Sequence, residues 1–390
     1  MLTNTLIIII VCLVLVLVGV AFLFYADIMY YFVSRRIRKI ERKNYERLSL
    51  LMFAKELVAA SKRMIETGKR IEYPILEADT FIGRCRYFIT NGNRALSFSF
   101  IGSESGWLLH ALFEYLDDVK YVQAIFDDKI LSVPIKYIEQ SQCGMVALSL
   151  YKKTNISKYK SYSDNLYEYL CSQDTDYGIV FREIHKGNRI LVDTLGMAIP
   201  FLIEYGRTFG NRNAIKLAEK SFEQYIKYGV DNDTGIPAFA FRVPTPHVKL
   251  GSPNWGRGVA WYVIGLMYVE DTNLSSSAQH KIKLFEEGLV NLWTQENSFG
   301  HFLGEGGRDL SAELPILQYL YNRNIINLSK DDISKYSTMS CHGLMYHSSS
   351  SNVGIVRYGT CAGPNVLSQA FMLRLITTYR NKMRGVTSIS

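Results

Sequence analysis

The stretch that decides the fold is Ile190 to Leu202, I-L-V-D-T-L-G-M-A-I-P-F-L, apolar almost throughout and carrying a single carboxylate, Asp193. Asp193-Thr194 stands where a helix begins. An Asp near a first turn satisfies backbone N–H groups that have no intrahelical partner. A carboxylate in apolar surroundings is equally a group held for proton transfer. Which of the two holds depends on the residues that Asp193 meets.

On both sides of this stretch the pattern is helical. Apolar residues recur near the helical period from Arg47 to Thr67. Further helices are predicted near 107–117, 135–153, 158–171, 192–208, 212–228, 256–271, 277–294, 309–323 and 363–380. Roughly Ile75 to Gly106 is less regular, with Phe98 to Ile101 as a short extended piece. Short connections such as Gly210-Asn211 alternate with long loops rich in Gly, Pro and Ser at 172–191, 229–255, 295–308 and 339–362. A short turn on one side and a long loop on the other is the mark of stacked helical hairpins. About eleven helices with no convincing sheet predict an all-α, six-hairpin toroid, an (α/α)6 barrel. No fixed-period repeat favours an open array. In a closed toroid the long loops and the starts of alternate helices share one rim.

The N-terminus belongs to a different class. Leu6 to Tyr25 holds 20 residues without a charge, enough to cross a bilayer as a helix. No Lys or Arg precedes it and Phe22 to Tyr25 is a poor cleavage site, so an uncleaved anchor is expected rather than a signal peptide. Seven basic and two acidic residues follow between Arg35 and Arg47, which places the C-terminal side in the cytoplasm by the positive-inside rule. Much of the net charge of +8 is gathered here, so it reads as membrane topology and not as a nucleic-acid surface. The expected division is an anchor at 1–26, a basic juxtamembrane segment at 27–47 and the barrel domain at 48–390. One of the six cysteines lies in the anchor. The other five are scattered with no C-x-x-C pair, as reduced thiols in a reducing compartment.

Four stretches fall at the starts of alternate predicted helices: Tyr137 to Gly144 with Glu139, Val192 to Thr194 with Asp193, Asn254 to Trp261 with Trp255 and Arg257, and Arg308 to Ala312 with Asp309. Aromatic faces meet the C–H surfaces of sugars, and Arg grips carboxylates in a fork. Trp255, Trp261 and Arg257 are also compatible with a core position and a structural ion pair, and Asp309 with a plain N-cap. His185, His247, His301, His342 and His347 fall in or near loops and read as ordinary loop histidines. Walker, nucleophile-elbow, H-E-x-x-H and dinucleotide motifs are missing. D-N-D-T-G at 231–235 lacks the closing acid of a calcium loop.

Taken together, V-D-T-L-G-M-A-I-P-F-L resembles the D-x-L-x-M-A-x-P-F-L signature of glycoside hydrolase families 88 and 105, the unsaturated glucuronyl and rhamnogalacturonyl hydrolases, which are (α/α)6 barrels. Gly144 with A-L-S-L-Y-K-K-T, Asp233-Thr234-Gly235-Ile236, Trp255-Gly256-Arg257-Gly258 with Trp261, Asp309 to Ala312 and Gly359 to Leu373 resemble further family blocks in order. The resemblance spans about 135 to 375. It implies hydration of the C4=C5 double bond of a terminal unsaturated uronic acid, after which the hemiketal opens and the sugar link falls apart. It implies Asp193 as acid/base residue, with Glu139 as its partner. Trp255, Arg257, Trp261 and Asp309 would be the substrate-binding set, with an oligosaccharide as ligand and neither metal nor cofactor. Two positions depart from the pattern: Glu139 stands where the family has Asp, and Ala238 or Phe239 where it has His. A barrel with altered or lost activity, binding glycan in surface-polysaccharide assembly or export, is the alternative. A helical scaffold on the membrane is a third.

Overall fold

The computed structural model describes residues 2–23, 35, 39–40, 42–43, 47–67, 103–180, 188–243, 248–349 and 363–385. The irregular stretch from Ile75, the extended piece at Phe98 to Ile101, most of the juxtamembrane segment, His185, His247 and the start of the block at Gly359 lie outside the described residues.

Among the described residues, twelve α-helices follow the N-terminal helix α1 (Leu2–Leu23). Six are α3 (Ser103–Leu116), α5 (Ser141–Thr154), α7 (Asp193–Phe209), α9 (Gly256–Val269), α11 (Leu310–Asn322) and α13 (Val366–Met383). Each packs against the next in this order, and α13 closes back onto α3. This is the inner ring. The others are α2 (Leu50–Thr67), α4 (Val119–Lys129), α6 (Ser157–Ser172), α8 (Arg212–Gly229), α10 (Ser276–Glu296) and the short α12 (Lys330–Ser334). They alternate with the inner helices along the chain, giving six outer–inner hairpins. The predicted toroid is therefore observed, and six of its helices, α6 to α11, match their expected bounds to within two residues at each end, whereas α5 starts six residues after the expected 135 and α3 four residues before the expected 107.

Burial separates the two rings. Nearly every residue of α9 and α11 is buried, whereas α10 buries only Ala278, Phe285 and Leu289. A helix enclosed on all sides is apolar all round, and an outer helix needs only a stripe. Inner helices also come close together. A Cβ on Gly196 of α7 would stand 2.5 Å from the Trp261 ring of α9, and one on Gly265 of α9 would stand 2.9 Å from the carbonyl oxygen of Leu195 in α7.

Two helices were not anticipated. The stripe of α4 contains only Val122 and Phe126 as buried positions, too little periodicity to stand out among its charges. The five residues of α12 are organised by a capping box, Ser329 with Asp332. Short antiparallel ribbons in the long loops were also missed. One is three-stranded: β1 (Arg189–Leu191) pairs with β2 (Ala240–Arg242), which pairs with β3 (Lys249–Leu250). Such two- and three-residue strands are too short for a period-2 signal.

Every turn from an inner to the following outer helix is short, and every segment entering an inner helix is long. Asn155 and Gly210 end α5 and α7 in the left-handed conformation, the usual C-terminal stop. The side chain of Asn211 then caps α8. All six inner helices consequently begin at the long-loop rim.

The helix α1 stands apart from this ring. Its described side chains, Thr5 to Gly19, are all exposed. Among the described residues no helix is long and apolar enough to cross a membrane, so the expected span is not established by them.

Candidate active site

Asp193 is the first residue of α7, and its cap position is Val192. The simple cap reading is thus displaced by one residue. The ribbon sets its position. Leu191 lies opposite Ala240 in the β1–β2 pair, and the Val192 N–H donates to the Phe239 carbonyl at 2.9 Å. The strand therefore runs in register up to the residue before Asp193.

The Asp193 residue keeps some exposure, but its Oδ2 is shut off from solvent and has no hydrogen-bond partner among the described residues. Burial pushes its carboxyl up to about 7. The backbone N–H at the helix start and the charge of Arg257 oppose this, and the charge of Glu139 adds to it. Desolvation thus outweighs the helix terminus. The result is a carboxylic acid that shares its proton near neutral pH, as a general acid/base needs.

Glu139 sits in a single 3-10 turn, Ile138–Gln140, leading into α5. The Gln140 side chain fixes that turn by accepting from the N–H groups of Lys136 and Tyr137 and donating to the Pro134 carbonyl. Gln142 Nε2 donates to the carbonyls of Gly196 and Met197 in α7, at 3.1 and 2.6 Å. The starts of α5 and α7 are thereby tied together, which brings Glu139 within electrostatic reach of Asp193.

Arg257, one residue into α9, is buried and donates through Nε to Ser311 Oγ at 3.0 Å and through Nη2 to the Ser349 carbonyl. Asp309 caps α11, accepting from Ser311 N at 2.9 Å, Ser311 Oγ at 2.6 Å and Ser349 N at 3.1 Å, with His301 Nδ1 at 3.4 Å. Burial alone would raise the Asp309 carboxyl. The bond with His301, the charge of Arg257 and the bonds from Ser311 and Ser349 outweigh it and hold the group at about 2. Asp309 is therefore both the cap it was weighed as and the fixed anion that orients this corner. Asp193 and Asp309 share a rim and have opposite protonation habits, because Asp309 accepts from several groups beside Arg257 whereas Asp193 has its own backbone N–H and an unbonded Oδ2.

Trp255 is the cap residue of α9. Its ring meets Phe239 edge to face, with centroids 4.6 Å apart. Phe239 thus places an apolar ring near the position where the family pattern has His. Trp261 is 2 % exposed and wedged against Gly196. It packs α7 against α9, the core position with which it was also compatible. His301 corrects the sequence reading in the other direction. Read there as an ordinary loop histidine, it lies on the strand Gly300–Phe302 beside Asp309. Ser349 was also missed: it arrives from a distant loop, and nothing in a run of serines marks the one that will meet Arg257.

The D-N-D-T-G stretch is a turn. Asp231 Oδ1 accepts from Asp233 N, Thr234 N and Thr234 Oγ, and Gly235 supplies the φ of +71° that closes it.

The family model described as Glycosyl Hydrolase Family 88 matches residues 106–292, which contain Glu139, Asp193, Trp255 and Arg257. Over these residues the chain is similar to glycosyl hydrolase family 88. The match supports a glycoside hydrolase. Solved structures share its fold. A possible member of family GH105 from Salmonella enterica serovar Paratyphi A aligns at 14% identity with a TM-score of 0.65, covering 87% of this chain and 96% of that one. An unsaturated glucuronyl hydrolase from Bacillus sp. GL1, responsible for the degradation of glycosaminoglycan, aligns at 14% identity and TM-score 0.57, covering 87% and 97%. A family 105 glycoside hydrolase of C. acetobutylicum aligns at 18% identity and TM-score 0.57, covering 80% and 99%. The comparison with curated proteins gives no match.

Proposed function

We propose that the chain hydrolyses uronic-acid-containing oligosaccharides that end in an unsaturated uronic acid, by acid/base-assisted hydration of the C4=C5 double bond. The observation that carries this is the Asp193 carboxyl, poised at about 7 beside Glu139 and Arg257 at the rim of the barrel. Protonated Asp193 delivers its proton to C4. Positive charge develops at C5 and the ring oxygen. Water adds at C5, and its surplus proton returns to the carboxylate left on Asp193, with Glu139 beside it as a second base. The hemiketal opens by breaking the bond from C5 to the ring oxygen. C1 is left as a hemiacetal that expels the remaining sugar. The sum is one water consumed and one glycosidic link lost. Trp255 and Arg257 form the wall that receives the uronyl ring, and Asp309 holds Arg257 through Ser311.

Glu139→Gln tests the pairing. It is expected to lower the rate by about 10- to 100-fold and to move the alkaline limb of the pH–rate profile downward, because the negative charge of Glu139 raises the Asp193 carboxyl. An unchanged limb would separate the two residues.

We further propose that α1 anchors the enzyme, with the barrel on the cytoplasmic side. What supports this is the sequence, where Leu6 to Tyr25 holds 20 residues without a charge and the basic run follows. A C-terminal fluorescent reporter is expected to be active, whereas strong activity of a C-terminal alkaline phosphatase fusion would place the barrel on the other side.

The departures at Glu139 and Phe239 favour one competing reading, a barrel that binds glycan in surface-polysaccharide assembly or export without turning it over. That reading requires saccharide binding with no product and no effect of Asp193→Asn.

A further inference from the structure

The opposite mouth of the barrel, where the inner helices end, contains a polar cavity of about 240 Å³. At about 30 Å³ of liquid per water it has room for roughly eight waters. Side chains from five of the six inner helices reach it, among them Glu204 of α7 and Tyr268 of α9, so it lies on the barrel axis. Apart from Met145 and Arg374, which sit nearer the middle of theirs, these residues come from the C-terminal halves of their helices.

Arg374 is the unusual member. It is 8 % exposed and lies nine residues before the end of α13. Helix C-termini attract cations, which accounts for Lys152 and Arg207 in the last turns of α5 and α7 but not for an arginine this far inside. Its guanidinium lies over the Trp107 ring at 4.5 Å, with Nε 3.2 Å from Glu114 and Nη2 3.3 Å from the Tyr268 hydroxyl. Nη1 is buried with no hydrogen-bond partner among the described residues. A buried cationic donor left without an acceptor is costly.

The carboxylates of the wall are already matched. Glu114 faces Arg374, and Glu204 has both Lys152 at 2.7 Å and Arg207 at 3.3 Å. His110 Nε2 meets Ser149 Oγ at 3.2 Å, and burial holds the His110 imidazole below its usual range. The wall therefore presents fixed donors, a stacked guanidinium and no unmatched negative charge.

We propose that this cavity is a second binding site, distinct from the Asp193 rim, and that it takes a small organic acid whose carboxylate accepts from Arg374 Nη1. Stacking on Trp107 and the contacts to Glu114 and Tyr268 fix the guanidinium plane before the ligand arrives, which is how Arg recognises carboxylates selectively. Lys152 also lines the cavity.

The test is titration calorimetry of the purified full chain with acetate and D-gluconate, using D-glucose as the neutral control. Saturable one-to-one binding of an acid is expected, at least tenfold tighter than glucose. Arg374→Met is expected to remove it. Because that variant also strips Glu114 of its partner, Ser149→Leu serves as the second variant. It fills the cavity while leaving Arg374 in place, and is expected to weaken binding at least tenfold with hydrolysis at the rim unchanged. Absence of saturable binding, equal binding of glucose, or acid binding that survives Ser149→Leu would overturn the proposal.

Discussion

Asp193→Asn is expected to lower hydrolysis of an unsaturated uronyl disaccharide by at least about 10³-fold while making the barrel more stable at neutral pH. The two effects have one origin. A buried carboxyl with one oxygen unbonded is useful as an acid because its charged form is disfavoured, and that same penalty destabilises the folded chain. The folded value is about 7 against an ordinary 3.8. A raised carboxyl contributes stability that is fully present below about pH 4 and is lost as pH rises through about 7. Asn cannot ionise, so the variant escapes this loss. The gain is on the order of 4 kcal/mol at most, since each pH unit separating the folded from the ordinary value is worth about 1.36 kcal/mol. Thermal melting across pH 4 to 9 checks it: wild type and variant converge at the acid end, and the variant melts higher above pH 7. The wild-type rate, in turn, falls as pH rises through about 7, because the proton donor is then lost. A variant that is inactive but no more stable at high pH would show that Asp193 is not held as a neutral acid.

Arg257→Gln is the second large effect. It removes the bonds to Ser311 and the Ser349 carbonyl and leaves Asp309 as a buried anion with less compensation. A loss of about 3 kcal/mol in stability is expected, together with a fall in kcat/KM of about 10²- to 10³-fold. The alkaline limb of the pH profile should move upward, because the Arg257 charge otherwise holds the Asp193 carboxyl down. Arg257→Lys should not restore the rate, since one ammonium cannot serve Ser311 and the Ser349 carbonyl in the same fork. Movement of the limb separates an electrostatic role from a merely structural one, which would lower stability and leave the profile in place.

The barrel was legible because its inner helices are continuous apolar segments bounded by loops of very different length. Asn155 and Gly210 punctuate the short turns, and the polar residues Glu139, Asp193, Arg257 and Asp309 each interrupt an apolar start. What escaped was decided by contacts distant in sequence. His301 acquires meaning only from Asp309, across the turn that joins two short strands. Ser349 meets Arg257 from 92 positions away. Trp255 and Trp261 flank Arg257 in sequence, yet the Trp261 ring faces Gly196, whose missing side chain makes the space. The cavity around Arg374 could not be read at all, since its lining residues are spread over five helices and form no local pattern.

The most direct measurement is the absorbance of the C4=C5 chromophore when the purified chain is given an unsaturated uronyl disaccharide, run beside the saturated uronyl disaccharide of the same linkage. The account predicts loss of the chromophore and cleavage of the unsaturated sugar, with the saturated one intact. Cleavage of both, or of neither across a set of linkages, would contradict it.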